Sequence, residues 1–137
     1  MNRSAWMMVA LLLYVVPARA NVGENVEQLK HRYGSAEDVG GQMLFQHDGY
    51  SICVYFDGPH SAMEVFLRDG SIPSKVDITQ DDIDAILASQ GEGIPWTSIQ
   101  SHSGKPTWVR ADGKLVARFT SGDKLEDKYL MVMLNAK

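Results

Sequence analysis

Residues 21–137 predict a single α+β domain: an antiparallel sheet of about six or seven strands with two helices packed on one face, in the order helix-βββ-helix-ββββ. Three observations point to it. Two stretches carry apolar residues at helical spacing, each closed by a glycine. The segments between and after them alternate with a period of two. The dipeptide Asp-Gly, which tight hairpins favour, occurs at Asp48-Gly49 and again at Asp112-Gly113.

The first helix is read over Asn21 to Gly34. Val22, Val26, Leu29 and Tyr33 fall on one of its faces, and Gly34 can take the positive φ of a helix end. Ser35 to Gly41 shows no pattern and reads as a loop. Strand periodicity begins at Gln42, and a type I′ turn at Asp48-Gly49 sets Phe45 opposite Ile52 and Met43 opposite Val54. Met43, Phe45, Ile52, Val54 and Phe56 then share a core face, and Leu44, Cys53 and Tyr55 share the other. A turn at Asp57-Gly58-Pro59 leads into Ser61 to Arg68, where Met63, Val65 and Leu67 alternate with Ala62, Glu64 and Phe66. Phe66 is placed with the second face.

The second helix opens on Thr79 as N-cap, with Asp82 in the capping-box position and Asp81 and Asp84 near the positive end of the helix dipole. Ile83, Ile86 and Leu87 make its apolar stripe and Gly91 closes it. Strand character returns around Trp96 to Ile99, and Ser101 to Lys105 is a polar loop. Thr107 to Ala111 and Lys114 to Thr120 flank the second Asp-Gly pair. Trp108, Arg110, Leu115, Ala117 and Phe119 fall on one face, and Val109, Val116 and Arg118 on the other. A last strand, Lys128 to Leu134, alternates Leu130, Val132 and Leu134 with Met131 and Met133.

Residues 1–20 read as a signal peptide. Arg3 is a basic start, Ala5 to Val16 an apolar run ended by Pro17, and Ala18-Arg19-Ala20 the small-x-small pattern of a cleavage site before Asn21. The run is shorter than the roughly eighteen residues needed to cross a bilayer, and no cysteine near the cut could carry a lipid. A periplasmic or secreted protein is expected. No later segment reads as a membrane span, since the longest late apolar run, Tyr129 to Leu134, is strand-length.

Composition narrows the chemistry. Against 17 Asp and Glu stand 13 Lys and Arg, two of them in the leader. That balance, with a cluster as sparse as Lys105, Arg110, Lys114 and Arg118, argues against a nucleic-acid partner. Cys53 is the sole cysteine, so no disulfide can close within the chain and the fold must rest on packing. His47 and His60 lie toward opposite ends of one hairpin arm, roughly 20 Å apart at strand spacing. His31 and His102 lack the spacing of metal ligands, so no metal is expected. No G-x-S-x-G is present, Cys53 sits inside a strand, Gly104-Lys105 lacks the preceding glycine of a phosphate loop, and capping accounts for Asp81-Asp82. No catalytic residue and no cofactor is assigned.

The order of elements, a helix followed by an antiparallel meander and then the same again, resembles the tandem helix-plus-sheet units of the β-lactamase inhibitor proteins. More loosely it is similar to the small helix-and-meander domain of the outer-membrane barrel-assembly lipoprotein. The resemblance spans most of residues 21–137 and implies a partner-binding module. The chain lacks the cysteines that brace each inhibitor unit and the lipidated cysteine of the lipoprotein, so no site residue carries over.

What is left is the second sheet face, where Leu44, Tyr55, Phe66, Val109 and Val116 recur among polar residues as an open, partly apolar surface. Trp96 and Trp108 are assigned to the core. The expected function is a non-catalytic binding or inhibitory module that meets an envelope or extracellular protein through that face. The alternative is a small exported enzyme whose site assembles only in three dimensions, and the oligomeric state is open. Mass spectrometry of the exported protein should find a mature N-terminus at Asn21; an intact Met1 in that fraction would overturn the export reading.

Overall fold

The computed structural model describes residues 22–73, 77–122 and 128–135. Residues 1–20, expected to be a signal peptide, and the expected cleavage before Asn21 lie outside them. Within them the chain forms two helices and one eight-stranded antiparallel sheet: α1 (Val26–Tyr33), β1 (Ala36–Asp38), β2 (Gln42–His47), β3 (Tyr50–Asp57), β4 (His60–Arg68), α2 (Gln80–Gly91), β5 (Trp96–Ile99), β6 (Thr107–Arg110), β7 (Leu115–Thr120) and β8 (Tyr129–Leu134). Strand order is β1-β2-β3-β4-β8-β7-β6-β5. Two meanders thus meet where the last strand returns to the middle and pairs with β4. The α+β class and the two helices are as expected. The sheet gains one strand, because Ala36–Asp38, read as loop, pairs with β2 through Ala36↔Phe45 and Asp38↔Met43. Three residues without alternation or β-branched side chains carry no strand signal of their own; the neighbouring strand supplies it.

Local chemistry sets the helix ends. Asn25 caps α1, accepting from the Gln28 N–H while the Gln28 side chain accepts from the Asn25 N–H, so the helix starts later than its apolar spacing suggests. Thr79 and Asp82 form the same reciprocal box on α2. Gly91 is the final helical residue of α2, and Glu92 takes the left-handed conformation beyond it. The last turn of α2 holds no basic residue, but Arg110 of β6 reaches it: Nη1 donates to the Gln90 carbonyl at 3.0 Å, while Nε and Nη2 grip Asp112. A cation is thereby supplied from the sheet to the negative end of the helix.

The β2–β3 hairpin takes the expected register, Phe45↔Ile52 and Met43↔Val54, with Asp48 and Gly49 both at positive φ. The positive φ of Gly49 favours glycine there, and a Cβ would also displace the Ile72 side chain, whose Cδ1 would lie 2.7 Å away. The β6–β7 hairpin keeps the register Val109↔Val116 with a different tip. Of its Asp-Gly pair only Gly113 has positive φ, and its N–H bonds the Arg110 carbonyl at 2.7 Å.

The β3–β4 pairing departs from the sequence reading in a way that matters. It starts as Asp57↔His60 and Phe56↔Ser61, then slips by one residue, so that Tyr55 faces Met63 and Val54 faces Glu64. Without the slip Phe66 would stand opposite Ser51 on the second face. The bulge at Ala62 reverses the alternation and sets Phe66 against Ile52 under the helices, 4% exposed. The N-terminal segment holds the bulge in place: the Ser61 N–H donates to the Glu24 carbonyl at 2.8 Å, and Gly23 N–H donates to Ser61 Oγ at 2.9 Å.

Both helices pack on the face that carries Phe45, Ile52, Val54, Phe66, Leu115, Ala117, Leu130 and Val132, burying Leu29 and Tyr33 of α1 and Ile83, Ile86 and Leu87 of α2. Trp96 and Trp108 pack against this core, and Trp96 Nε1 donates to the Leu87 carbonyl at 2.7 Å. Glu64 lies within it, fully buried. Tyr33 donates its hydroxyl to Glu64 Oε1 at 2.9 Å and Gln90 Nε2 donates to Oε2 at 3.1 Å; Gln90 Oε1 in turn accepts from the Val22 N–H. A second tie joins the sheet to the start of α2. Tyr50 donates to Asp82, Arg68 pairs with the same carboxylate, and the Arg68 guanidinium lies 4.1 Å from the centre of the Tyr50 ring.

Burial pushes the Glu64 carboxyl up to about 7 from 4.5, against the two hydrogen bonds that favour its ionised form. The folded chain therefore holds a proton that an unfolded glutamate releases near pH 4.5. The stability this contributes is complete below that pH and is lost as pH rises to about 7. In urea unfolding at pH 5 and pH 8, the wild type should lose roughly 2–3 kcal/mol more than Glu64→Gln; parallel losses would refute the assignment. The division of the faces predicts that Phe45→Ala costs about 3–5 kcal/mol and Tyr55→Ala about 1 kcal/mol in the same assay. Equal costs would mean that something covers both faces.

Candidate functional site

No described helix lies on the second face of the sheet, and its side chains align in rows that run from edge to edge. One row reads Gln42, Tyr55, Met63, Met133, Val116, Val109, Thr97, each opposite the next on the adjoining strand. The next reads Leu44, Cys53, Val65, Met131, Arg118, Thr107, Ile99, with Glu37 beyond Leu44 at the β1 edge. Pairing strands through their registered partners fixes which residues share the face, so the surface is a property of the whole sheet and not of one hairpin. Leu44, Tyr55, Val65, Met131 and Val116 are each half-buried by their neighbours alone, and Ile99 is 42% exposed.

Of the five residues expected on this face, Leu44, Tyr55, Val109 and Val116 are there; Phe66 is not. It sits in the core, edge-on to the Tyr50 ring at 6.4 Å, because of the bulge. The same bulge brings in Met63 and Val65, so the face is more apolar and richer in methionine than the sequence reading allowed. Methionine side chains are unbranched and polarizable, and repack readily against different partners. Cys53 is a free thiol within the row, donating weakly to Gln42 Oε1 at 3.5 Å. Burial, together with the Cys53 thiol beside it, raises Tyr55 above the ordinary phenol range. Tyr55 is therefore a neutral, amphipathic contact group at neutral pH.

The face is shaped as well as apolar. Where β5 to β8 meet the loop after β5, it hollows into a groove of about 760 Å³, with Val109, Val116 and Met133 along the strands and Ile99, Ser101 and Ser103 toward the edge. Thr107, although on the same row, is covered, its hydroxyl donating to the Lys105 carbonyl at 2.9 Å. The folded-over loop makes the wall.

A second hollow, about 340 Å³, opens on the helical face between α1 and α2. Its floor includes Ile52, Phe66 and Ile86, and its rim His31, His47 and Ser89. Two of its polar groups have partners: His47 Nε2 lies 3.2 Å from Asp48 and its ring stands 5.5 Å from that of Tyr33, while Ser89 donates to the Ile86 carbonyl at 2.8 Å. This rim gives no paired nucleophile and base. His60 and His102 are exposed and far from it in the chain, and among the described residues no three His, Cys, Asp or Glu side chains gather as metal ligands. No described helix is long and apolar enough to cross a membrane.

No protein-family model matches the chain, and no curated protein matches it. Among solved structures, it is similar to a cysteine-rich secretory protein from Staphylococcus aureus subsp. aureus Mu50. The two share 16% identity with a TM-score of 0.44, over 82% of this chain and 44% of that one, so the chain spans less than half of that protein's length.

Proposed function

We propose that this chain is an exported, non-catalytic binding module that engages an envelope or extracellular protein through the helix-free face of its sheet. One observation carries the reading: two continuous cross-strand rows of largely apolar side chains lie on a face that no described helix covers, while both helices and the core residues lie on the other. Contiguous apolar surface of this kind marks partner sites on folded proteins. The leader at residues 1–20 supports export, and the order of elements, through its resemblance to partner-binding modules, supports the class. The hollow between the helices favours an enzyme less, since the Ser89 hydroxyl and the His47 imidazole on its rim are tied to other groups.

Photo-crosslinking amino acids at Met63, at Val109 and, as a control on the helical face, at Ala85 test the reading in the exporting cell. Adducts to a distinct protein are expected from Met63 and Val109 and not from Ala85. Val109→Asp should cut recovery of that protein about tenfold or more while lowering the free energy of unfolding by no more than about 1 kcal/mol. Adducts from Ala85 alone would transfer the function to the other face.

A further inference from the structure

Arg118 is the one arginine or lysine within the two central rows, and it lines the groove. Ion pairs among the described residues engage Arg32, Arg68, Arg110 and Lys128, and none of them includes Arg118. Its Nε is shut off from solvent with no hydrogen-bond partner. Of the other polar side chains around the groove, Ser101 and Ser103 bond to each other at 2.6 Å, Thr107 donates to the Lys105 carbonyl, and Asn135 Nδ2 donates to the Gly113 carbonyl at 3.0 Å; Gln100 and His102 line it as well, at the loop. Among the described residues no aspartate or glutamate lines it. An acidic chain thus holds, beside the apolar floor of Val109, Val116 and Met133, a guanidinium without a counter-charge among the described residues. A planar guanidinium takes a carboxylate through paired hydrogen bonds, which strengthen where neighbouring apolar groups exclude water.

We propose that the groove receives an acidic side chain of the partner protein, its carboxylate paired with Arg118 and its apolar neighbours seated on Val109, Val116 and Met133. This rests on the reading of the open face as the binding surface, and it specifies the partner's chemistry: a segment with one Asp or Glu set among apolar residues. Charge complementarity selects that occupant.

The test uses the purified protein and three synthetic peptides, Leu-Val-X-Val-Leu with capped ends and X as Glu, Gln or Lys, followed by fluorescence anisotropy. The Glu peptide should bind at least about tenfold more tightly than the Gln peptide, with the Lys peptide weakest. Arg118→Gln should erase the difference between Glu and Gln and leave Gln-peptide binding unchanged, while Arg118→Lys restores part of it. Val109→Asp should weaken both the Glu and the Gln peptides, the Glu peptide more, since the new carboxylate shares the groove with Arg118. If the wild type binds Glu and Gln peptides equally, or Arg118→Gln keeps their difference, the acidic assignment falls; loss of binding in Val109→Asp would then leave the open-face reading standing. Binding of every peptide untouched by Val109→Asp, or no binding of any peptide at millimolar concentration, overturns the proposal. So does light scattering that shows a dimer dissociated by Arg118→Glu, which would assign the face to a second copy.

Discussion

The one-residue slip between β3 and β4, held by Ser61 against the Glu24 carbonyl and the Gly23 amide, sets the direction of the β4 side chains beyond it. Because β8 pairs with β4, the slip also sets which face of the second meander meets the helices. Without it Glu64 would point to the open face, and Met63 and Val65 would lie against the helices. Core and candidate site are two results of a single backbone irregularity, and the N-terminal segment that secures it is part of the fold rather than a tail.

Once Glu64 is turned inward, its burial has to be offset, and the groups that do so come from three separate parts of the chain. Tyr33 reaches it from α1 and Gln90 from α2, and the Val22 amide binds Gln90 from the other side. A buried polar group left without partners is costly, so such a network favours one docking of the helices over its alternatives. Arg68, Tyr50 and Asp82 repeat the idea at the start of α2, and Arg110 at its end. Both ends of α2 are therefore fastened to the sheet by charge, while Ile83, Ile86 and Leu87 supply the apolar burial between. The helices are in effect committed to one face, which leaves the other without a described helix.

Much of this is legible in the sequence where the signal is local. The capping box at Thr79 and Asp82, the Asp48-Gly49 turn with its register, and the alternation of β7 and β8 all come from a few adjacent residues, and the structure repeats them. Four of five candidate face residues follow from those hairpins. Phe66 does not, because the bulge is held by Glu24 and Gly23, far away in the chain, and nothing in Ser61 to Arg68 announces it. β1 escapes for a related reason: Ala36–Asp38 is strand only because β2 lies beside it. Arg118 was placed on the right face by alternation, yet its lack of a counter-charge becomes visible only when its neighbours on β6 and β8 are known.

The two margins of the sheet are unlike. β1 is three residues long and carries Glu37 and Asp38, whereas β5, Trp96–Ile99, carries no charge. A strand margin offers unpaired amides and carbonyls to any passing strand, and charge is a common deterrent. A fibre grows only if both margins of each unit adhere; with one repelled by its own kind, joining through β5 stops at a pair. A protein that displays a broad apolar surface is in this way protected from open-ended assembly by two carboxylates on its shortest described strand.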